Sequence, residues 1–218
     1  MQHVWGVVVA GGAGSRFGGA KQFALLGGRP VVEWSVAACR EALGHVVLVL
    51  PEGMTDEGFG ADVVVAGGPS RSASVRNGLA AVPPDARVVV VHDAARPLAT
   101  PRLFVAVVKA LDEPGVAGAI CAVPVVDTLK RVGRAAGGNE AAVVVETLDR
   151  EALVSVQTPQ AFLAAVLRRV HAAGGEATDD AALVEATGAT VQVVPGDPRN
   201  VKVTDPGDLS YLEHLVRA

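Results

Sequence analysis

The chain has 218 residues, of which 50% are apolar and 4% aromatic, so a sizeable core of aliphatic side chains is expected. The formal net charge of −4 argues against a nucleic-acid partner, since such a partner requires a basic protein face. Two cysteines exclude a disulfide framework and a zinc motif, and no apolar stretch reaches the roughly 18 residues of a membrane helix, so we expect a cytoplasmic protein without membrane association.

Short runs of β-branched residues alternate with helical patterns along the chain. The runs predict strands at residues 4–10, 46–50, 63–66, 88–92, 119–123, 143–146 and 191–195. The helical patterns lie at residues 31–43, 72–82, 101–112, 160–173, 178–187 and 206–217. Because the valine runs show no polar alternation, we expect strands that are buried on both faces of a parallel sheet. This order of elements predicts an α/β fold in one domain, residues 1–218, with helices covering a mostly parallel sheet.

The stretch VAGGAGSRFGGAKQ at residues 9–22 follows the first predicted strand and is the most informative part of the chain. Its small residues expose several backbone N–H groups, an arrangement that binds phosphate oxygens. Arg16 and Lys21 add fixed positive charge, which suits a polyphosphate. The alternative is an ordinary strand-to-helix turn, but four small residues followed by two cations favour an anion site.

This loop differs from two common phosphate-binding motifs. Lys21 is followed by Gln22 and not by Ser or Thr, so the loop does not match G-x-x-x-x-G-K-[ST]. Phe17 occupies the third glycine position of G-x-G-x-x-G, and no acidic residue ends a second strand about 20 residues later. A nicotinamide-dependent dehydrogenase is therefore the weaker interpretation.

Two further strands end in polar loops, and in open α/β sheets ligands bind at these carboxyl ends. The sequence GGPSRSASV at residues 67–75 combines a glycine pair with an arginine and hydroxyl groups, which suits a base and ribose, and Ser72 is predicted to be a helix N-cap. Asp93, in the sequence HDAARP, is predicted to bind Mg²⁺, which takes one or two carboxylates together with phosphate oxygens and water. The alternative is an ion pair between Asp93 and Arg96, and His92 is expected to be a packed residue.

Residues 124–159 lack an amphipathic helical pattern and contain several glycines followed by VVVETLDR. We predict a β-hairpin-like arm at about residues 126–157. Because a two-stranded arm is marginally stable alone, we expect it to pack on another subunit, with a surface loop as the alternative. Thr128 is a candidate for binding a hydroxylated substrate, and Arg150 for binding a phosphate, with an Asp149–Arg150 ion pair as the alternative for the arginine.

Three later segments add polar residues. The sequence QTPQ at residues 157–160 is predicted to begin a helix, and TDD at residues 178–180 resembles an N-cap followed by acidic first-turn residues. Lys202 is a second candidate cation for a phosphate, with a surface lysine as the alternative. Since no G-x-S-x-G or other nucleophilic triad is present, the residues predict phosphoryl or nucleotidyl transfer by positioning and charge neutralisation.

The chain resembles the 2-C-methyl-D-erythritol 4-phosphate cytidylyltransferases of the non-mevalonate isoprenoid pathway in eight motifs, which are AGGAGSRFGGAKQ, GGPSRSASVRNGL, VHDAARP, PVVDTLK, TLDR, QTPQAF, TDDAALVEATG and NVKVTDPGDL. The resemblance covers about residues 4–213. It implies a Rossmann-like nucleotidyltransferase fold, a three-layer sandwich with a protruding β-arm that joins a homodimer. It also implies CTP as substrate, Mg²⁺ as cofactor, and 4-diphosphocytidyl-2-C-methyl-D-erythritol and pyrophosphate as products. We expect no fused cyclodiphosphate synthase, because the predicted elements end with the helix at 206–217.

The same resemblance implies roles for individual residues. Arg16 and Lys21 would stabilise the transition state at the α-phosphorus of CTP. Arg150 of the partner subunit and Lys202 would orient the methylerythritol phosphate for attack, and Asp93 would contact the metal and the substrate hydroxyls. The further substrate-binding positions are Ala10, Gly11, Gly12, Ala13, Gly14 and Ser15 around the triphosphate, Gly68 and Ser74 near the cytidine, and Ala94, Arg96, Thr128, Thr158 and Thr178.

Two other functions stay open at this point. A cytidylyltransferase for another polyol phosphate, such as ribitol 5-phosphate, shares the fold and many of the motifs. A non-catalytic nucleotide-binding protein on the same scaffold is less favoured, because Arg16, Lys21 and Asp93 are all retained.

Overall fold

Seven strands form a central sheet within the part of the protein that its computed structural model describes, residues 3–12, 17–54, 58–134 and 142–217. The β-strands are β1 (Val4–Val9), β2 (Leu25–Leu26), β3 (Arg29–Pro30), β4 (Val46–Leu50), β5 (Val63–Ala66), β6 (Val88–Asp93), β7 (Val116–Pro124), β8 (Lys130–Arg134), β9 (Ala142–Thr147), β10 (Val154–Leu163) and β11 (Thr190–Pro195). The α-helices are α1 (Val31–Leu43), α2 (Arg71–Ala81), α3 (Pro101–Lys109), α4 (Ala164–Ala172), α5 (Asp180–Glu185) and α6 (Pro206–Arg217).

The central sheet is mostly parallel, which confirms the predicted α/β class. Its strand order is β11-β7-β10-β6-β1-β4-β5, and β10 runs antiparallel to both of its neighbours. In the register of the parallel strands, Val8 of β1 lies beside Leu48 of β4 on one side and His92 of β6 on the other. Because β1, β5 and β6 run in one direction, the loops that follow them meet at a single edge of the sheet.

Helices cover both faces of the sheet and make the fold three layers thick. On one face, α1 and α3 pack on the sheet through buried side chains such as Val36, Leu43 and Phe104. On the other face, α2, α4 and α5 pack through residues that include Leu79 and Leu167. The core is built from aliphatic side chains, as the composition predicts.

A smaller apolar cluster places the C-terminal part of the chain near the same sheet edge. It joins Leu26 of the β2–β3 hairpin, Val31 of α1 and Leu212 of α6 around Val203. The backbone N–H of Val203 also donates to the carbonyl of Ala95, which follows β6, at 2.8 Å. The segment before α6 is therefore held beside the loop that follows β6.

Strands β8 and β9 form a separate antiparallel pair between β7 and β10 in the chain, in agreement with the predicted hairpin-like arm. The residues around its predicted tip, 135–141, lie outside the described residues. All six residues of β9 are exposed, including Val143, Val144 and Val145.

The helix predicted at residues 160–173 is wrong at its beginning, because β10 extends to Leu163 and α4 begins at Ala164. Ala161 and Phe162 continue the helical pattern of the following residues, yet both are fully buried where β10 pairs with β6 and β7. Pairing with distant strands therefore overrides the local pattern.

The other predicted strands and helices agree with the structure to within about three residues at each end. The helix predicted at residues 101–112 consists of α3 and a 3-10 turn, Ala110–Asp112. Among the described residues, none of the helices combines the length and the apolar character that a bilayer-spanning segment needs.

Gly78 determines how closely α2 approaches the sheet. A Cβ atom added at this position would lie 2.5 Å from Cγ1 of Val7 and 2.9 Å from Cγ2 of Val49. Because these valines are fully buried in the centre of the sheet, Gly78→Ala forces α2 to move. We expect a net loss of about 1 to 2 kcal/mol in the free energy of unfolding, after the better helix propensity of alanine is included, measured by urea denaturation.

Gly58→Ala is the matched control, because its added Cβ meets no atom within 4 Å and its backbone is not in the left-handed region. This variant is expected to stay within about 0.5 kcal/mol of the wild type. Equal stability of the two variants would contradict close packing at Gly78.

Candidate functional site

The loops after β1, β5 and β6 enclose a cavity of about 450 Å³, called the first cavity below. It is lined by Val9, Ala10, Gly11, Gly12, Lys21, Gln22, Gly68, Pro69, Ser70, Arg71, Ser74, Asp93, Ala94, Ala95 and Lys202. Backbone of small residues forms one part of this lining and charged side chains form another. Such a lining suits an elongated, highly charged anion.

Glycines allow the first and second loops to come into contact. A Cβ atom added at Gly67 would lie 3.3 Å from Cα of Gly11 and 3.0 Å from Oγ of Ser74. The backbone N–H of Gly68 donates to the same hydroxyl at 3.1 Å, and a Cβ atom at Gly68 would clash with Ala73 at 2.5 Å. Larger residues at Gly67 and Gly68 would push the two loops apart and change the wall of the cavity.

Asp93, the last residue of β6, lies between two cations. Its Oδ1 accepts a hydrogen bond from Nε of Arg71 at 3.1 Å, and its Oδ2 accepts one from Nζ of Lys202 at 2.6 Å. Burial alone would favour the neutral carboxyl, but the charges of Arg71 and Lys202 hold the pKa of Asp93 well below its usual range. The side chain is therefore a carboxylate throughout the physiological pH range.

Lys21 and Lys202 are distant in the chain, and both line the first cavity. Lys21 begins a 3-10 turn, Lys21–Phe23, and its Nζ donates to the carbonyl of Val203 at 2.6 Å. Lys21 thus contacts the backbone next to Lys202, while Lys202 contacts Asp93. The structure brings these three predicted site residues together, and their individual roles stay predictions.

A second cavity of about 270 Å³ adjoins the first. It is lined by Arg71, Asp93, Arg96, Val156, Gln157, Thr158, Gln160, Thr178, Asp179 and Lys202. Arg71, Asp93 and Lys202 line both cavities, so the two spaces meet at the paired charges. Two ligands bound in these cavities would approach each other at this point.

The guanidinium of Arg96 lies in the wall of the second cavity and does not pair with Asp93. It donates from Nη1 to the carbonyl of Asn200 at 2.7 Å and from Nη2 to the carbonyl of Val156 at 3.2 Å. Since Asp93 is already occupied by Arg71 and Lys202, the proposed alternative of an Asp93–Arg96 pair is wrong. Carbonyl groups do not neutralise the positive charge of Arg96, which leaves it able to attract an anion.

Thr158 lies in the interior of β10, which corrects the prediction that QTPQ begins a helix. Its Oγ1 accepts a hydrogen bond from the backbone N–H of Asp93 at 3.0 Å and lies 3.0 Å from Nδ1 of His92. The His92 ring is fully buried against Phe104, with ring centroids 5.0 Å apart, and burial lowers its pKa to about 4. His92 is therefore a packed residue, as predicted, and not a base at neutral pH.

The prediction of Ser72 as N-cap is also wrong. Helix α2 begins at Arg71, so Ser70 precedes it and its Oγ accepts a hydrogen bond from the N–H of Ala73 at 3.0 Å. The hydroxyl of Ser72 instead accepts a hydrogen bond from the N–H of Ala177 at 3.3 Å. In the TDD segment, the N-cap of α5 is Asp179 and not Thr178, one residue later than the pattern implies, and Asp180 is an acidic residue of the first turn as predicted.

Several predicted site residues lie away from the two cavities or outside the described residues. Ala13, Gly14, Ser15 and Arg16 are not among the described residues. Thr128 is exposed in the loop between β7 and β8. Arg150 is exposed at the base of the arm, after β9, where its Nη1 donates to the carbonyl of Val126 at 2.6 Å. The carboxylate of Asp149 accepts a hydrogen bond from the N–H of Glu151 and does not pair with Arg150.

Arg71 and Asp180 are two residues at the site that the sequence does not identify individually as site residues. Arg71 lines both cavities, and its guanidinium contacts Asp93 and Asp180 at once. An arginine three residues after a glycine pair, at the start of a helix, was a usable signal for Arg71. Nothing in the sequence identifies its pairing with Asp180, which is 109 residues away.

The single carboxylate of Asp93 fits a divalent cation whose other coordinating atoms come mainly from a bound phosphate compound. Among the described residues, no group of three or more His, Cys, Asp or Glu side chains could hold a metal by itself. Among the described residues that line both cavities, Asp93 is the one that supplies an ionised carboxylate. One carboxylate is what Mg²⁺ uses when phosphate oxygens and water complete its coordination.

Comparisons with known proteins agree with this chemistry. The sequence model of the family described as IspD, 2-C-methyl-D-erythritol 4-phosphate cytidylyltransferase, matches residues 4–218. The chain is 42% identical to the 2-C-methyl-D-erythritol 4-phosphate cytidylyltransferase of Rubrobacter xylanophilus, over 97% of this chain and 94% of that protein. The crystal structure of the protein of that name from Thermus thermophilus has a TM-score of 0.80 and 36% identity, covering 97% of this chain and 98% of that one.

Some relatives are longer than this chain. It is 46% identical to the bifunctional enzyme IspD/IspF of Anaeromyxobacter dehalogenans, a match that covers all of this chain and 58% of that protein. The match to a second bifunctional relative, from another Anaeromyxobacter strain, also covers 58% of that protein, so the chain spans a little over half the length of both.

The low pKa of His92 predicts a pH dependence of stability. The unfolded state takes up a proton at a pKa near 6.5, whereas the folded state does so only near 4, so the free energy of unfolding falls as the pH falls from about 6.5 to 4. We expect His92→Gln to remove a contribution of up to roughly 3 kcal/mol to this fall, measured by urea denaturation across that range.

His45→Gln is the control for this experiment, because His45 is exposed and stacks on Trp5 instead of lying in the core. This variant is expected to keep the wild-type pH dependence. An unchanged slope in His92→Gln would show that His92 does not resist protonation in the folded protein.

Proposed function

Because the chain belongs to the family of 2-C-methyl-D-erythritol 4-phosphate cytidylyltransferases, we propose that it transfers CMP from CTP to 2-C-methyl-D-erythritol 4-phosphate. The products are 4-diphosphocytidyl-2-C-methyl-D-erythritol and pyrophosphate. A phosphate oxygen of the sugar phosphate attacks the α-phosphorus of CTP, a new P–O bond forms, and the bond to the pyrophosphate breaks. The reaction needs a site for two anions side by side.

One observation carries the proposal. The two cavities meet at Arg71, Asp93 and Lys202, so two ligands bound in them would have their charged ends at the same place. The first cavity has the volume and the glycine-rich wall that suit a nucleotide. The second cavity is smaller and offers the guanidinium of Arg96 and the hydroxyls of Thr158 and Thr178, which suit a polyol phosphate.

The proposed roles of the cations follow from charge. The attacking phosphate is already anionic at neutral pH, so no strong base is required. Repulsion between the two anions opposes the reaction, and Lys21 and Lys202 reduce it by placing positive charge where the negative charges meet. Because the amine of Lys21 is held by the carbonyl of Val203, little reorganisation of this cation is needed when the ligands bind.

Asp93 is the residue proposed to hold Mg²⁺ together with the phosphate oxygens of CTP. The bound cation would neutralise negative charge on those oxygens. Asp93 pairs with Lys202 in the structure, and the side chain of Lys202 is 41% exposed, so this flexible side chain can turn toward an incoming phosphate.

The arm supports a proposed homodimer. Val144 and Val145, which are consecutive in β9, are 63% and 64% exposed, and Val126 in the loop before β8 is 78% exposed. Such exposed apolar side chains indicate a surface that another protein covers. A second copy of the arm would cover these side chains. Arg150 lies at the base of this arm and lines neither cavity of its own chain, in keeping with a role at the site of the partner subunit. A cytoplasmic location stays a prediction.

Pyrophosphate release tests the function directly. The protein is expected to release pyrophosphate with CTP, Mg²⁺ and 2-C-methyl-D-erythritol 4-phosphate, and to release much less when ATP, GTP or UTP replaces CTP. Ribitol 5-phosphate is the control second substrate. Faster turnover with ribitol 5-phosphate would assign the chain to that substrate instead, and CTP binding without any release would indicate a nucleotide-binding protein.

Lys21 and Arg150 are expected to affect different kinetic constants. Lys21→Ala should lower kcat by about 10²- to 10³-fold, since its charge acts most strongly in the transition state. Arg150→Ala should mainly raise the KM for the sugar phosphate. Lys109→Ala, an exposed lysine at the end of α3, is the matched control and should keep wild-type kinetics.

Mixing the Lys21→Ala and Arg150→Ala variants, at a sugar-phosphate concentration that is far below the KM of Arg150→Ala, tests whether Arg150 acts across subunits. In a heterodimer of Lys21→Ala with Arg150→Ala, a trans arrangement restores one intact site, which contains Lys21 of one subunit and Arg150 of the other. Activity should therefore rise after subunit exchange toward about a quarter of the wild-type value per subunit, if subunits pair at random. Mixtures that show no more activity than the separate variants, although native mass spectrometry shows that heterodimers have formed, would contradict the trans role.

A further inference from the structure

A chain of paired charges extends from the site into the protein. Nζ of Lys202 lies 2.6 Å from Oδ2 of Asp93, and Oδ1 of Asp93 accepts from Nε of Arg71 at 3.1 Å. Nη1 of the same guanidinium donates to Oδ2 of Asp180 at 2.9 Å. Oδ1 of Asp180 lies 2.9 Å from Nε2 of His171. Arg71 is thus shared between one carboxylate at the site and one behind it.

Asp180 is far more deeply buried than the site that it supports. Its side chain is 1% exposed and that of His171 is 2% exposed, compared with 11% for Asp93 and 41% for Lys202. A buried carboxylate is unfavourable unless it is paired and hydrogen-bonded, and both oxygens of Asp180 have such partners. Asp180 does not line either cavity, so its connection to the site is through Arg71.

The planar fork of the Arg71 guanidinium determines how its pairing with Asp180 affects its contact with Asp93. An arginine beside a single carboxylate tends to bind both of its oxygens through two parallel hydrogen bonds. Here Nη1 of Arg71 donates to Asp180 and Nε donates to Oδ1 of Asp93, whereas Nη2 is buried and has no hydrogen-bond partner among the described residues. The pairing with Asp180 thus holds the guanidinium in an orientation that contacts one oxygen of Asp93. Oδ2 of Asp93 is left to Lys202, whose flexible ammonium group can leave more readily than a rigid guanidinium.

We infer that Asp180 is a positioning residue, which holds Arg71 to one oxygen of Asp93 and thereby keeps the other oxygen available to the divalent cation that accompanies the nucleotide. This inference rests on the proposed function. Without the charge of Asp180, Arg71 is free to turn toward Asp93, take both oxygens and compete with the cation.

Binding of Mn²⁺, followed by electron paramagnetic resonance in the presence of CTP and without the second substrate, tests the inference without turnover. Asp180→Asn keeps the shape of the side chain and removes its charge. We expect this variant to bind Mn²⁺ about 10- to 100-fold more weakly, as is usual when a residue that supports a metal ligand is changed. The affinity for CTP in the absence of metal should fall much less than the affinity for Mn²⁺. The Tm should also change little.

Arg76→Gln is the matched control. Arg76 lies on the same helix as Arg71 and also contacts the segment before α5, through the carbonyl of Gly175 at 3.1 Å and the carboxylate of Glu176 at 2.7 Å. It does not contact Asp93 or Asp180 in the described structure. Its loss should therefore leave Mn²⁺ binding unchanged, and a loss as large as that of Asp180→Asn would mean that general loosening of this segment explains the effect.

Arg71→Lys is a second variant, which keeps the carboxylate of Asp180. A lysine has no planar fork with which to take both oxygens of Asp93, so this variant is expected to keep Mn²⁺ binding close to that of the wild type. Wild-type Mn²⁺ binding in a folded Asp180→Asn variant, or a loss of about 10-fold or more in Arg71→Lys, would overturn the inference.

Pyrophosphate release by the wild type is measured in parallel, so that the two failures are distinguishable. An active wild type with unchanged Mn²⁺ binding in Asp180→Asn rejects the inference alone. A wild type that releases no pyrophosphate from CTP and any polyol phosphate rejects the proposed function, and the inference with it.

Discussion

The geometry of the site depends on the ion pairs that Asp93 makes with Arg71 and Lys202. Three separate parts of the chain meet in these pairs, which are the end of β6, the start of α2 and the segment before α6. A partly buried charge is favourable only when its partner is in place, so the three parts must come together for any of these charges to be accommodated. The positions of the charges are therefore set by the fold, and the two cavities on either side of them share one wall.

The central strands could be predicted from the sequence because their environment is uniform. In β4 every residue is buried, so a run of apolar β-branched residues is both necessary and recognisable. Strand β10 could not be predicted, since it lies antiparallel between β6 and β7 and its neighbours are distant in sequence. Its last residues have the same helical pattern as α4, and only pairing with those neighbours makes Ala161 and Phe162 part of a strand.

Two residues that line the cavities could be identified in the sequence as candidates. Asp93 is a carboxylate at the end of a predicted strand, and Lys202 lies in a recognisable motif. Contacts between residues far apart in the chain could not be predicted in the same way. Arg96 illustrates this, because the nearby Asp93 was a reasonable partner until Arg71 and Lys202 were seen to occupy it. Asp180 illustrates it further, because an acidic residue at the start of a helix is usually explained by the helix alone.

The balance of charge around the two cavities explains why the proposed reaction needs both a metal ion and the arm of a second subunit. Asp93 and Asp180 offset much of the positive charge of Arg71 and Lys202, and Asp179 adds a negative charge to the lining of the second cavity. A triphosphate and a phosphate monoester together carry several negative charges, more than the side chains described around the cavities can balance. Further positive charge must come from outside this set. Besides the predicted contribution of Arg16, a divalent cation at Asp93 and an arginine from a second subunit are two sources that the proposed reaction offers, and both would act where the cavities meet.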